Sequence, residues 1–267
     1  MKNKRLIIIL AVLSLCTVVV VLTSTLFTMK SVSLHWLTET YMFKNIDAST
    51  IIDSATMPYN ESIFMVNKNK IIDELEKENP YLKVVSIETK FPNKLVVHIA
   101  ERSEFFAIKL SDSEYAIVDG ECKVLKMVTE AYFSNDVSAA NPIKVTVDNF
   151  NLSKDAFVVG EVLRSNRIVD IIQNVAYSLR ETDHDATTSK GIFDSVTIEV
   201  KGERADAVIK TKWGLYINIT DVDSSTTDKL LLGIALYNDK KEDHVFYGTI
   251  LVFENTGEIL ATYLEQN

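Results

Sequence analysis

Residues Leu6 to Phe27 form a run of 22 residues without a charge, LIIILAVLSLCTVVVVLTSTLF. As a helix the run would measure about 33 Å at roughly 1.5 Å per residue, against a bilayer hydrocarbon core of about 30 Å. A helix in the core of a globular domain keeps a polar face, and this run has none. It exceeds the roughly 7–15-residue apolar region of a cleaved signal peptide, and no Ala-x-Ala site follows it. A lipoprotein signal ending at Cys16 would need a small residue just before the cysteine, where Leu15 stands. The run therefore reads as an uncleaved membrane-spanning helix.

Lys2, Lys4 and Arg5 precede the run, and Lys30 alone follows closely. Basic flanks stay in the cytoplasm. This places residues 1–5 inside as a short tail and residues 6–28 as a single transmembrane helix, a type II arrangement with about 240 residues outside. The net charge of −9 divides into +4 for residues 1–30 and −13 for the rest. So acidic a body repels nucleic-acid phosphates and is not drawn broadly to anionic lipid. Cys16 lies inside the run and Cys122 far outside it, so there is no disulfide framework and no C-x-x-C motif.

Beyond the run, residues 29–43 carry Trp36, Tyr41 and Phe43. They read either as an aromatic belt at the headgroups or as a linker into the first strand. Ile46 to Thr56 suggests a strand end and a short helix. Asn67 is placed to cap a helix over about residues 68–78, with Ile71, Ile72 and Leu75 on one face. Val84–Lys90 and Leu95–Glu101 alternate as strands around the turn Phe91-Pro92-Asn93-Lys94. The order is β-α-α-β-β over residues 44–104.

Residues 105–267 read as a second, mainly antiparallel β domain with two helices, an α+β arrangement. Strands are expected at 105–110, 114–118, 123–127, 142–147, 195–200, 205–211, 215–220, 249–253 and 258–263. Asp119-Gly120 and Asn255-Thr256-Gly257 mark hairpin turns. One helix runs over 166–180, capped by Ser165, with a stripe of Ile168, Ile172, Val175 and Leu179. The other follows a Ser225-x-x-Asp228 capping box and runs to about Tyr237.

Three stretches resemble the FtsQ/DivIB family of cell-division proteins. Asn79–Arg102 (NPYLKVVSIETKFPNKLVVHIAER) is similar to the end of the family's POTRA-type unit, including its closing Glu-Arg. Glu114–Leu125 and Phe246–Ile259 are similar to two of its later hairpins. The chain departs from the family where Ser103-Glu104-Phe105 stands in place of a proline after Glu-Arg, and where no clear Gly-Asn precedes the first POTRA helix. The resemblance implies a non-catalytic septal scaffold in the cell membrane, with no cofactor and with FtsL- and FtsB/DivIC-type bitopic partners.

A physical route to such partners is visible in Glu258–Glu265. A last strand without proline at the edge of an open sheet offers unpaired backbone groups to a strand of another chain. The candidate partner-binding residues are Phe253, Ile259, Leu260, Ala261, Thr262 and Tyr263. Alternative readings are a membrane-anchored envelope enzyme, or another POTRA-bearing protein of assembly or translocation.

Signals of chemistry are weak. His35, His98, His184 and His244 match no metal spacing, and His98 reads as a half-buried strand residue. Asp183-His184-Asp185 reads as a solvated loop. Asp221-Val222-Asp223 begins like a calcium loop but lacks the later Gly and Glu. There is no G-x-S-x-G, S-x-x-K or P-loop. The N-x-S/T sequons at Asn60, Asn151 and Asn218 fit chance in a chain rich in Asn, Ser and Thr.

Overall fold

The computed structural model describes residues 2–39, 43, 45–134, 142–148, 152–164, 166–181, 191–222 and 225–265. Tyr41, Asn151, Ser165, Asp183-His184-Asp185 and Asp223 lie outside the described residues. Helix α1 spans Lys2–Leu26. Among the described residues, no helix is long and apolar enough to cross a membrane; the side chains described in α1 are those of residues 10–21 and 25–26. The chain divides into two compact units, Met1–Arg102 and Ser103–Asn267.

In the first unit, β1 (Ser31–Trp36), α2 (Ala48–Asp53), α3 (Lys68–Glu78), β2 (Leu82–Lys90) and β3 (Lys94–Glu101) follow in order. The sheet order is β1-β3-β2, with β1 parallel and β2 antiparallel to β3. The stretch 29–43 thus contains the unit's first strand and is no plain linker. Val32, Leu34 and Trp36 are half-buried on it. Trp36 packs on the buried ring of Phe43, their centroids 5.2 Å apart, so neither supplies a free aromatic belt. The helix expected within 46–56 is α2, and no strand precedes it there.

Helix α3 forms as its pattern requires. Asn67 accepts the Lys70 N–H at 3.3 Å, relieving one orphan donor of the first turn. Ile71 and Leu75 bury against Leu82, Leu95, Val97 and Ile99. At the far end, Glu76 and Arg102 form a nearly buried ion pair at 2.7 Å. Arg102 also donates to Leu82 O at 3.2 Å, and Glu76 accepts the Val84 N–H at 2.8 Å. The Glu-Arg that closes this unit in sequence therefore clamps α3 to the sheet through Arg102.

The second unit is a nine-stranded sheet with the order β12-β11-β10-β9-β8-β7-β4-β5-β6. Its strands are β4 (Phe106–Lys109), β5 (Glu114–Val118), β6 (Val124–Thr129), β7 (Ile143–Asp148), β8 (Phe193–Lys201), β9 (Arg204–Thr211), β10 (Tyr216–Ile219), β11 (Thr249–Asn255) and β12 (Glu258–Leu264). The sheet is mainly antiparallel, as expected, but mixed: five of its pairings are antiparallel, and β4–β7, β7–β8 and β10–β11 are parallel. Parallel neighbours need a long crossover, commonly a helix. Here α4 (Arg167–Glu181) lies between β7 and β8, and α5 (Thr226–Glu242) between β10 and β11.

The stripe Ile168, Ile172, Val175 and Leu179 of α4 is fully buried. The described cap of α4 is Asn166, whose Oδ1 accepts the N–H groups of Ile168 and Val169 at 3.1 Å each. In α5 the capping box does not form: Ser225 is left-handed (φ 51°) and makes no side-chain cap bond. The turn before α5 is tied to the helix by Thr226, which donates to Val222 O at 2.6 Å, and by Lys229. Lys229 is fully buried and donates to Thr220 O at 3.1 Å and Asp221 O at 2.8 Å. Replacing it by Met is expected to leave two carbonyls short of a donor and to cost about 2 kcal/mol. Chemical denaturation of the purified chain would read this as a lowered midpoint.

The Asp119-Gly120 hairpin closes differently from the simple two-residue turn. The positive φ falls on Cys122 (59°), and Asp119 Oδ1 accepts the N–H groups of Glu121 and Lys123. Burial, with Asp119 beside it, pushes the Cys122 thiol up to about 12, so the thiolate is absent near neutral pH.

Candidate functional site

The two ends of the nine-stranded sheet differ. At the β6 end the chain covers the start of its own rim: Val124 N–H donates to Glu161 O at 2.9 Å, Gly160 N–H to Val124 O at 2.8 Å, and Leu163 N–H to Cys122 O at 3.0 Å. At the other end β12 pairs with β11, and among the described residues no strand pairs with its outer side.

The direction of the β12 main chain follows from two backbone hydrogen bonds between β10 and β11. Tyr216 N–H donates to Gly248 O and Thr220 N–H to Val252 O, so the even-numbered residues of β11 turn their peptide groups towards β10. The odd-numbered ones face β12, and their opposite numbers are Glu258, Leu260, Thr262 and Leu264. Peptide groups alternate in direction along a strand. Ile259, Ala261 and Tyr263 therefore present their N–H and C=O groups to the open rim.

Side chains alternate on the same period. Ile259, Ala261 and Tyr263 are half-buried against the core on the face that α5 covers. Leu260, Thr262 and Leu264 are exposed on the opposite face, and half-buried Phe253 stands opposite Leu260. The six candidate residues are thus neighbours but not equivalent, since Phe253 lies one strand inward. Leu264, 48% exposed, completes the outer row and was outside the sequence-based set; the period of two through Leu260 and Thr262 is the signal that points to it.

Tyr263 anchors the end of the rim. Its hydroxyl donates to Tyr247 O at 2.8 Å, and Lys240 Nζ lies 5.1 Å from its ring centroid. Desolvation, then Glu265 and Tyr247, raise the phenol above its ordinary value and keep it a donor. Gly248 (φ 114°) makes this approach possible, because a Cβ there would stand 2.6 Å from the Tyr263 ring.

Elsewhere the tempting signals resolve into structure. Asp221 donates its N–H to Asp206 at 2.9 Å and its carbonyl receives Lys229, so it builds a turn. His98 is half-buried beside His35, with centroids 5.2 Å apart, and lies 3.7 Å from Glu88. The cleft between α4 and α5 holds Ser178 and Thr227 bonded to each other at 2.9 Å, with Asp228 in its wall and, among the described residues, no histidine or lysine lining it.

The three-stranded unit is matched by the family model of the POTRA domain, FtsQ-type, over residues 43–102; β1 pairs into its sheet from outside that span. The chain thus carries an FtsQ-type POTRA domain. It is 28% identical over 143 residues to Cell division protein DivIB of Clostridium botulinum, covering 53% of this chain and 51% of that protein. It is 34% identical over 83 residues to the DivIB of Clostridium tetani, 31% of each chain, and 25% identical over 178 residues to that of Clostridium acetobutylicum, 67% of each. The FtsQ-type POTRA domain and the similarity to proteins named DivIB together support an FtsQ/DivIB-type protein. The matched stretch spans about half the length of the Clostridium botulinum relative and about a third of the Clostridium tetani one.

Proposed function

We propose that this protein is a non-catalytic bitopic scaffold of the bacterial division machinery. Residues 6–28 anchor it, residues 1–5 lie in the cytoplasm, and the POTRA domain and the large sheet lie outside, at the septum. It recruits FtsL- and FtsB/DivIC-type membrane partners by accepting a partner strand on β12, and it needs no cofactor for this.

The observation that supports this reading is the asymmetry of the sheet. The start of one rim is covered by the chain's own residues 160–163, while the other turns the peptide groups of Ile259, Ala261 and Tyr263 outward along its length beside exposed leucines. An edge of this kind is a template for strand addition. The similarity to division proteins gives the cellular setting. A fluorescent fusion of the full chain in dividing cells is expected to form a midcell band. A uniform envelope signal would overturn the division role.

A further inference from the structure

At the point where α1 ends, three segments bring apolar side chains to one exposed tip of the first unit. The ring centroids of Phe27 and Phe64 are 5.3 Å apart, those of Phe64 and Phe91 5.5 Å, and those of Phe27 and Phe91 6.1 Å. Phe64 and Phe91 remain 66% and 62% exposed, and neighbouring Met65 is 81% exposed. Large apolar side chains clustered in water normally mark a surface that is covered by something else.

The position of the tip limits what covers it. Leu26 is the last residue of α1, and three residues later Met29 is fully buried in the POTRA core. Three residues span at most about 10 Å. The exit is also fastened on both sides. Ile63 N–H donates to Phe27 O and Met29 N–H to Glu61 O, each at 2.8 Å, and Lys30 N–H donates to Asn93 O at 2.9 Å. No slack separates the end of the uncharged run from the loop that carries Phe64 or the hairpin turn that carries Phe91.

On the reading that the run spans the membrane, the three rings fall within the headgroup layer, about 5–7 Å deep on each side of the hydrocarbon core. That is where aromatic side chains gather in membrane proteins. Lys30, Lys90 and Lys94 are exposed around the same end of the sheet, against Glu61 and the Lys90 partner Glu88. Lysines beside exposed rings fit a lipid surface, with apolar groups below and ammonium groups at the phosphates.

We infer that Phe27, Phe64, Met65 and Phe91 form a wedge that inserts into the headgroup layer of the bilayer and holds the POTRA domain against the membrane surface. The inference rests on the anchor reading of residues 6–28, and its test separates the two. In the full chain carrying Cys16→Ser, Cys122 is 1% exposed and escapes labelling. A nitroxide is then placed at Met65→Cys, or in a second protein at Val20→Cys. Both are reconstituted in protein-free lipid vesicles, and depth is read by saturation electron paramagnetic resonance with oxygen and a nickel chelate.

The expected result is a deep reading at residue 20 and an interfacial one at residue 65. Adding Phe64→Ser and Phe91→Ser, both at exposed positions, should return residue 65 to a bulk-water reading and leave residue 20 unchanged. A deep reading at 20 with bulk water at 65 overturns the wedge alone, including the case in which a protein partner rather than lipid covers the tip. An interfacial reading at 65 that survives the double substitution also overturns it. Bulk water at 20 overturns both the anchor and the wedge.

Discussion

Ala261→Pro is expected to abolish capture of a bitopic division partner by the purified chain while its fold is retained. Proline removes a backbone N–H, and in a sheet it is tolerated where that N–H faces away from the ladder. The peptide groups of Ala261 point to the open rim, so the substitution removes a donor that a partner strand would use and leaves the β11 ladder whole. Thr262→Pro differs by one position and one direction. It removes a bond to Leu251 on β11 and is expected to loosen the hairpin itself. Pull-down with the DivIC-type protein of the same organism, alongside circular dichroism, distinguishes the two variants. Undiminished capture by a folded Ala261→Pro protein would remove β12 as the interface.

Glu76→Ala is expected to unfold the POTRA domain selectively. The pair with Arg102 is almost out of water, with side-chain exposures of 12% and 6%. Removing one member of a buried ion pair costs about 3–5 kcal/mol, since the remaining charge stays desolvated. The Val84 N–H loses its acceptor in the same step. A unit of this size has little stability to spare. Hydrogen exchange should show lost protection in β2 and β3 and unchanged protection in the second unit. Glu76→Leu with Arg102→Leu should recover much of the loss, because two apolar side chains leave no buried charge. An unaffected β2–β3 in Glu76→Ala would show that the pair does not hold α3 to the sheet.

The local elements were readable because each is set by neighbours in sequence. Asn67 and the spacing of Ile71 and Leu75 specify α3. Ile168, Ile172, Val175 and Leu179 specify the buried face of α4. Leu95, Val97 and Ile99 specify the inward face of β3, and all three are fully buried. The similarity to FtsQ/DivIB proteins was also carried by such stretches, above all Asn79–Arg102.

One local signal misled, and one turn closed in its own way. Ser225 takes a left-handed φ of 51° and makes no side-chain cap bond, while Lys229 ties down the preceding turn through the carbonyls of Thr220 and Asp221. The hairpin after β5 forms as its turn signal predicts, with the positive φ on Cys122 and the Asp119 side chain closing the loop.

Periodicity, caps and the uncharged run belonged to the sequence, because they depend on residues within a few positions of one another. Which strands lie side by side did not. β1 pairs in parallel with β3 from more than sixty residues away with no turn to announce it, and the helices α4 and α5 make parallel neighbours of strands that alternation alone reads as a meander. Only the assembled sheet decides that residues 160–163 cover the start of one rim and that, among the described residues, no strand covers the other. A strand's pattern tells which side chains face inward, whereas its outer hydrogen bonds depend on whatever the rest of the chain brings beside it.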